Sequence, residues 1–270
     1  MIALGCQVFD KPPEQAFDSL LKPVKTSADS VTLEIFQARI PLDQEKKADA
    51  LWERIDEQEF DADLRRKLIS NGLRVGVVGG TLPEDLSKLL ALKSDAEEES
   101  ASRVITNQTA MPRVTRRVVQ VKRREPTSIQ VSELRDEAQV LISSGSSIGG
   151  KTFRQMQGVY ALEAESIPGQ QVRVRLIPEL HHGDMKQRYA GSDQGIFMSI
   201  PSREREVFND LAMEANLAPG ELLVVGCLPD AKASLGGVFH TASAAGRDER
   251  KLILIRLMQV PPSEILTEKK

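Results

Sequence analysis

The sequence predicts an α+β protein, a small N-terminal α/β module followed by a mostly antiparallel β domain. Three observations lead there. Hydrophobic spacing changes near residue 105 from the three-four rhythm of helices to the period of two that marks strands. The two most apolar runs, Glu221-Leu-Leu-Val-Val225 and Leu252-Ile-Leu-Ile-Arg-Leu-Met-Gln-Val260, are short and nearly continuous, as in strands buried on both faces. An acidic, polar stretch over 95–104 reads as a linker between the two halves.

The expected division is a lead-in over 1–27, the α/β module over 28–94, the linker over 95–104, the β domain over 105–262 and a tail over 263–270. In the lead-in, Pro12, Pro13 and Pro23 interrupt any helix. Val31, Leu33 and Ile35 alternate on one face of a strand that Pro41 ends. Over 43–58, Ala48, Leu51, Trp52 and Ile55 form a helical apolar stripe. Asp61 is placed to cap a second helix, with Leu64, Leu68 and Ile69 facing inward and Gly72 at its left-handed end. Leu73–Val78 reads as a strand, and Thr81-Leu-Pro-Glu84 as a capping box opening a helix that carries Leu86, Leu89 and Leu90.

In the second half, strands are expected over Val114–Val121, Ser128–Ser132 and Ala138–Ser143. Gly158–Glu165 and Gln171–Ile177 flank Ile167-Pro-Gly169, a hairpin signal. Further strands are expected at Arg205–Phe208 and Leu211–Ala215. The β domain is expected to close by pairing Val172–Ile177, Leu222–Val225 and Leu252–Val260.

Composition limits the function. The 270 residues carry a formal charge of −3 with 28% charged residues, which gives no general attraction to nucleic acid or an anionic membrane. With eight Phe, two Tyr and one Trp, there is little material for the aromatic girdles of a membrane barrel. No stretch approaches the ~18 apolar residues of a membrane-spanning helix. Met1-Ile-Ala-Leu-Gly-Cys6 looks like the end of an export signal whose cysteine is lipidated. An upstream apolar segment would complete that signal and place the protein in the periplasm or envelope, anchored through Cys6. Without one, a cytoplasmic location is expected.

One motif stands out. Gly145-Ser-Ser-Ile-Gly-Gly-Lys-Thr152 fits the phosphate-loop pattern at every fixed position, with Gly145, Gly150, Lys151 and Thr152 as its defining residues. Such a loop must open a helix whose N-terminus supports the anion. Here an alternating segment follows, and no apolar strand ending in a magnesium-binding Asp lies downstream. A Gly-Ser turn between strands is therefore expected, with nucleotide binding as the alternative. His181 and His182 are neighbours that point to opposite faces of a strand, so a shared metal with Asp184 is not expected. Cys227 and His240 carry no nucleophile signature. Arg116-Arg117 and Lys122-Arg123-Arg124 lack the adjacent aromatics that stack on single strands. No cofactor, catalytic constellation or nucleic-acid partner is expected.

Several segments, taken in order, resemble the C-terminal domain of secretins, the ring-forming proteins of bacterial type II and III secretion and type IV pili. Gly158–Glu165, Pro168-Gly169 and Val172-Arg-Val-Arg-Leu-Ile-Pro-Glu-Leu180 resemble the family's paired strands with their Pro-Glu step. Pro219-Gly-Glu-Leu-Leu-Val-Val-Gly-Cys-Leu228, Ser234-Leu-Gly-Gly-Val-Phe239 and Lys251–Val260 are similar to the segments that follow. The likeness implies a non-enzymatic structural or assembly component of the cell envelope. Its copies would associate through β edges into a ring, or the chain would bind other envelope proteins, with a monomeric soluble binding module as a further alternative. Asp184–Pro201 is polar and a poor membrane-inserting hairpin, which counts against a transmembrane pore while leaving the secretin-like β fold.

Overall fold

The apolar runs become the middle of a sheet, because a strand apolar on both sides must be covered on both sides. A computed structural model of the chain describes residues 30–41, 50–79, 86–87, 114–145, 147–191, 197–244 and 247–260. In chain order its elements are β1 (Ser30–Pro41), α1 (Ala62–Ser70), β2 (Leu73–Val78), β3 (Val114–Lys122), β4 (Thr127–Gln130), β5 (Arg135–Ser144), β6 (Ser147–Ile167), β7 (Gln171–Gly191) and β8 (Phe197–Val207). After a 3₁₀ turn at Asn209–Leu211 come β9 (Met213–Leu217), β10 (Leu222–Cys227), α2 (Leu235–His240), β11 (Thr241–Ala244) and β12 (Arg247–Gln259).

These strands form two six-stranded antiparallel sheets. The first runs β2-β10-β12-β1-β3, with β11 on β12. The second runs β4-β6-β7-β8, with β5 on β6 and β9 on β7. One apolar cluster holds the inward side chains of both, including Leu33, Ile35, Leu223, Val225, Ile253 and Ile255 from the first sheet and Tyr160, Leu162, Val174 and Leu176 from the second. The sheets therefore pack face to face, each strand sending alternate residues inward. The other face of the first sheet (Phe36, Ala38, Leu222, Val224, Leu252, Leu254) is covered by Leu51, Trp52, Ile55 and Leu86.

The expected boundary between an α/β module and a separate β domain is not where the sheets divide. β1 lies between β12 and β3, with Ile35 opposite Ile255 and Arg117. β2 pairs with β10, Val75 opposite Val225. Both strands of the 28–94 stretch thus belong to the sheet that carries the end of the chain. The reason is that β1 is apolar on both faces and needs two neighbours and two cover layers, which a short local module does not supply. The expected pairing among the three apolar runs also needs correction. β10 and β12 are neighbours, but Val172–Ile177 lies in the opposing sheet, its Val172, Val174 and Leu176 meeting the first sheet across the core.

Local signals fared well. Asp61 caps α1, its Oδ1 accepting from the amides of Asp63 and Leu64 at 2.8 and 3.3 Å, and Gly72 follows at φ 74°. Leu68 is buried, Leu64 is partly buried against the core, and Ile69, expected inward, is 49% exposed. Leu51, Trp52 and Ile55 are buried as expected. The hairpin turn at 168–170 sits between Ile167 and Gln171, which pair, with Gly169 and Gln170 in the left-handed region. The 81–84 capping box, Ala48, Leu89, Leu90, the 95–104 linker, the lead-in with Cys6 and the tail lie outside the described residues.

Buried Asn71 ties the α1–β2 turn to the other sheet. Its Nδ2 donates to the Ser143 carbonyl at 3.0 Å and its Oδ1 accepts from the Ser143 amide at 2.9 Å. Removing both partners at once leaves a buried amide and carbonyl unpaired. Asn71→Ala is therefore expected to cost about 2 kcal/mol, measured as a lower denaturant midpoint with unchanged slope.

Candidate functional site

The phosphate-loop pattern folds as a β-hairpin. Gly145 is at φ 62° in the turn between β5 and β6, and Ser144 pairs with Ser147 across it. Gly149, Gly150, Lys151 and Thr152 continue as strand, opposite Ile142, Leu141, Val140 and Gln139. No helix begins at Lys151, so no helix N-terminus is available to a phosphate there. The Lys151 ammonium pairs with Glu206 and lies 4.9 Å from the centre of the Phe153 ring. The nucleotide alternative thus finds none of the geometry that it needs at Gly145, Gly150, Lys151 and Thr152.

This hairpin is exposed along much of its length. Ser147 to Thr152 are exposed at every position, both faces of the strand included. Ile148 is 70% exposed and Leu141 on β5 is 42% exposed. Over this span β6 pairs with β5, whereas its pairing with β7 begins only at Gln157. Two backbone irregularities mark where the long strands part. Gln155 has φ 48° in β6 and Gly183 has φ 74° in β7, and the β7–β8 register shifts between His182 and Lys186. Beyond these points, β5–β6 and β7–β8 run as two hairpins. The space between them is lined by Lys151, His182, Lys186, Arg203, Glu204 and Glu206. Hydrogen bonding between Lys186 and Glu204 raises the ammonium and lowers the carboxyl from their ordinary values. Arg203 donates to the Gln155 carbonyl at 2.7 Å.

The histidine pair behaves as two separate side chains. His181 Nε2 is 2.8 Å from Glu179 Oε2, while the His182 ring packs 5.0 Å from Phe153. Among the described residues no group of three or more His, Cys, Asp and Glu could hold a metal.

His240 is fully buried in α2. Its Nδ1 lies 2.9 Å from the Lys251 carbonyl, which can only accept, so Nδ1 carries the proton. Nε2, 2.8 Å from the Tyr160 hydroxyl, then accepts from it. Burial holds the imidazole down to about 4 and pushes the Cys227 thiol up to about 11. Burial also raises the Tyr160 hydroxyl. A neutral thiol and a neutral imidazole engaged at both nitrogens make poor material for nucleophilic catalysis. The arrangement is one by which a buried polar ring is satisfied.

Basic pairs from the sequence are largely matched by acids. Arg116 on β3 and Arg256 on β12, the two strands flanking β1, both pair with Glu34, a fully buried carboxylate. Lys122 lies 3.5 Å from Glu125 and Arg123 2.7 Å from Glu165. Arg117 and Arg124 are exposed. Sequence reasoning missed the role of Glu34, because a single acid in an otherwise apolar strand gives no sign of arginines that are 82 residues and more away. It also missed that Ser147–Thr152 is a strand, since glycine and serine normally signal a loop.

Among the described residues no helix is long and apolar enough to cross a membrane. No family model matches the chain, and no curated protein matches it. Solved structures similar to it include two secretins. One is the InvG secretin domain β-barrel of the Salmonella SPI-1 injectisome NC-base, 14% identical, with 89% of this chain and 64% of that chain covered at a TM-score of 0.23. The other is the V. cholerae type IV competence pilus secretin PilQ, 11% identical, with 86% of this chain and 59% of that chain covered at a TM-score of 0.22. The chain spans less than two thirds of either solved chain.

Proposed function

We propose that this protein is a non-enzymatic structural component of a cell-envelope assembly, secretin-like in its β domain, whose copies join edge to edge into a ring. The observation that carries this is the β5–β6 hairpin. From Ser147 to Thr152 it is exposed on both faces, and β6 there pairs with β5 alone among the described strands. An open strand edge is a template for another strand. Exposed Ile148 and Leu141 would be covered when a second copy adds to it. The cell-envelope placement comes from the sequence resemblance over 158–260, and a lipid on Cys6 belongs to the same proposal.

Sedimentation velocity of the full chain tests it. Wild type is expected to form higher-order species that shift with concentration. Ile148→Lys, which puts a charge at a position that is already exposed, should leave folding intact and shift the protein toward monomer, because an edge lysine discourages strand addition. A wild-type chain that stays monomeric at all concentrations would overturn the ring and favour a monomeric binding module.

A further inference from the structure

At one end of the sandwich the apolar interior gives way to charge. Arg39 on β1 and Lys251 on β12 are register partners, following Gln37–Ile253 and Ile35–Ile255 along the inner face of the sheet. Lys251 is 4% exposed, and its Nζ donates to the Val131 carbonyl at 3.0 Å. From the opposing sheet come Glu133, in the β4–β5 connection, and Arg135, whose Nη2 donates to the Thr241 carbonyl at 3.0 Å.

The acids here hold the cations loosely. Glu133 Oε1 lies 3.5 Å from Arg39 Nη2 and 3.8 Å from Lys251 Nζ, so the same oxygen stands between both cations at ion-pair rather than hydrogen-bond distance. Glu249 Oε2 is 3.8 Å from Arg39 Nη1, and both atoms are buried without a hydrogen bond. Three cations thus face two carboxylates. One of these, Glu133, is 54% exposed on a connection between strands. Burial and the neighbouring Arg39 guanidinium lower the Lys251 ammonium, and burial lowers Arg135. A buried ammonium whose nearest carboxylate stands beyond hydrogen-bond distance keeps hydrogens without an anionic partner, and a small anion that accepts them relieves that cost.

We propose that Arg39, Arg135 and Lys251 form a seat for a small oxyanion, a carboxylate or phosphate group, which binds where the Glu133 carboxylate now stands between Arg39 and Lys251. Glu133 is the internal competitor, and its exposed position on a connection lets it swing aside. The seat is independent of how copies of the chain associate.

Isothermal titration calorimetry of the full chain with sodium phosphate, set against sodium chloride at equal ionic strength, tests this. Glu133→Gln removes the competing charge and is expected to bind phosphate about tenfold more tightly than wild type. Glu125→Gln, the same charge change at an exposed site paired with Lys122, is expected to behave as wild type. Adding Arg39→Gln to Glu133→Gln should abolish the gain. A parallel titration with acetate assigns the seat: a preference for acetate marks a carboxylate ligand and a preference for phosphate a phosphate ligand. The proposal is overturned if Glu133→Gln binds neither anion better than wild type. It is equally overturned if Glu125→Gln gains as much, or if the double variant keeps the gain.

Discussion

Replacing Gly236 with alanine is expected to remove about 3 kcal/mol or more of folding stability, at the upper end of what overpacking does. The helix α2 docks so closely that its backbone meets the α1–β2 turn directly: the Gly236 amide donates to the Asn71 carbonyl at 2.8 Å. A Cβ at 236 would lie 2.1 Å from the Gly72 oxygen and 2.3 Å from its carbon, and neither is a side chain that can turn away. At Gly237 a Cβ would meet the Ala231 oxygen at 2.0 Å. Relief would require α2 to lift away, yet Leu235, Val238 and Phe239 are core residues. Gly149 supplies the contrast, since nothing lies within 4 Å of a Cβ built there. Gly149→Ala should change stability by no more than about 0.5 kcal/mol. Chemical denaturation of the two variants beside wild type decides the matter. Equal, small effects would mean that α2 does not sit against Gly72.

That pair of glycine sites also shows what was legible in the sequence. Gly149 drew notice only because it lies within the 145–152 motif segment, and Gly236 and Gly237 only through a family likeness, although the latter two are the ones under steric pressure. Backbone crowding is created by long-range packing and leaves no local mark. What could be read were features fixed by near neighbours. These were the cap at Asp61, the left-handed Gly72, the turn at Ile167-Pro-Gly169, and the double-sided apolar character of Glu221–Val225 and Leu252–Val260. What could not be read was which strand lies beside which. Ile35 pairs with Ile255 across most of the chain. A period of two identifies a strand and its faces but is silent on its partners. The same silence explains the misplaced boundary after 94. β1 and β2 look like the strands of a local unit, and only their pairing with β12, β3 and β10 shows that they complete the sheet of the second half. The oxyanion seat was hidden for the same reason. Arg39, Glu133 and Lys251 come from three distant segments, and each alone reads as an ordinary surface charge.

Acidification should weaken the fold through His240, and the sign follows from its burial. In the unfolded chain an imidazole takes up its proton near the ordinary value of 6.5, whereas in the folded protein burial delays this to about 4. Between those values the unfolded state binds the extra proton and the folded state does not, so stability falls as pH falls. Above 6.5 both states are neutral and the contribution is fully present. Below about 4 both are protonated and the loss is complete. At about 1.4 kcal/mol for each pH unit, this interval bounds the effect at about 3 kcal/mol. The geometry explains the resistance to protonation: Nδ1–H already donates to Lys251, and Nε2 accepts from Tyr160, which packs against Phe239 at 5.2 Å. His240→Asn retains a short polar side chain that does not titrate. Its stability at neutral pH should be lower than that of wild type, because the Tyr160 hydroxyl loses its acceptor within the core. Its decline from pH 6.5 to 4.5, followed by urea denaturation, should be shallower than wild type's by most of the His240 contribution. Parallel declines in the two proteins would show that other groups, not this imidazole, govern the acid limb.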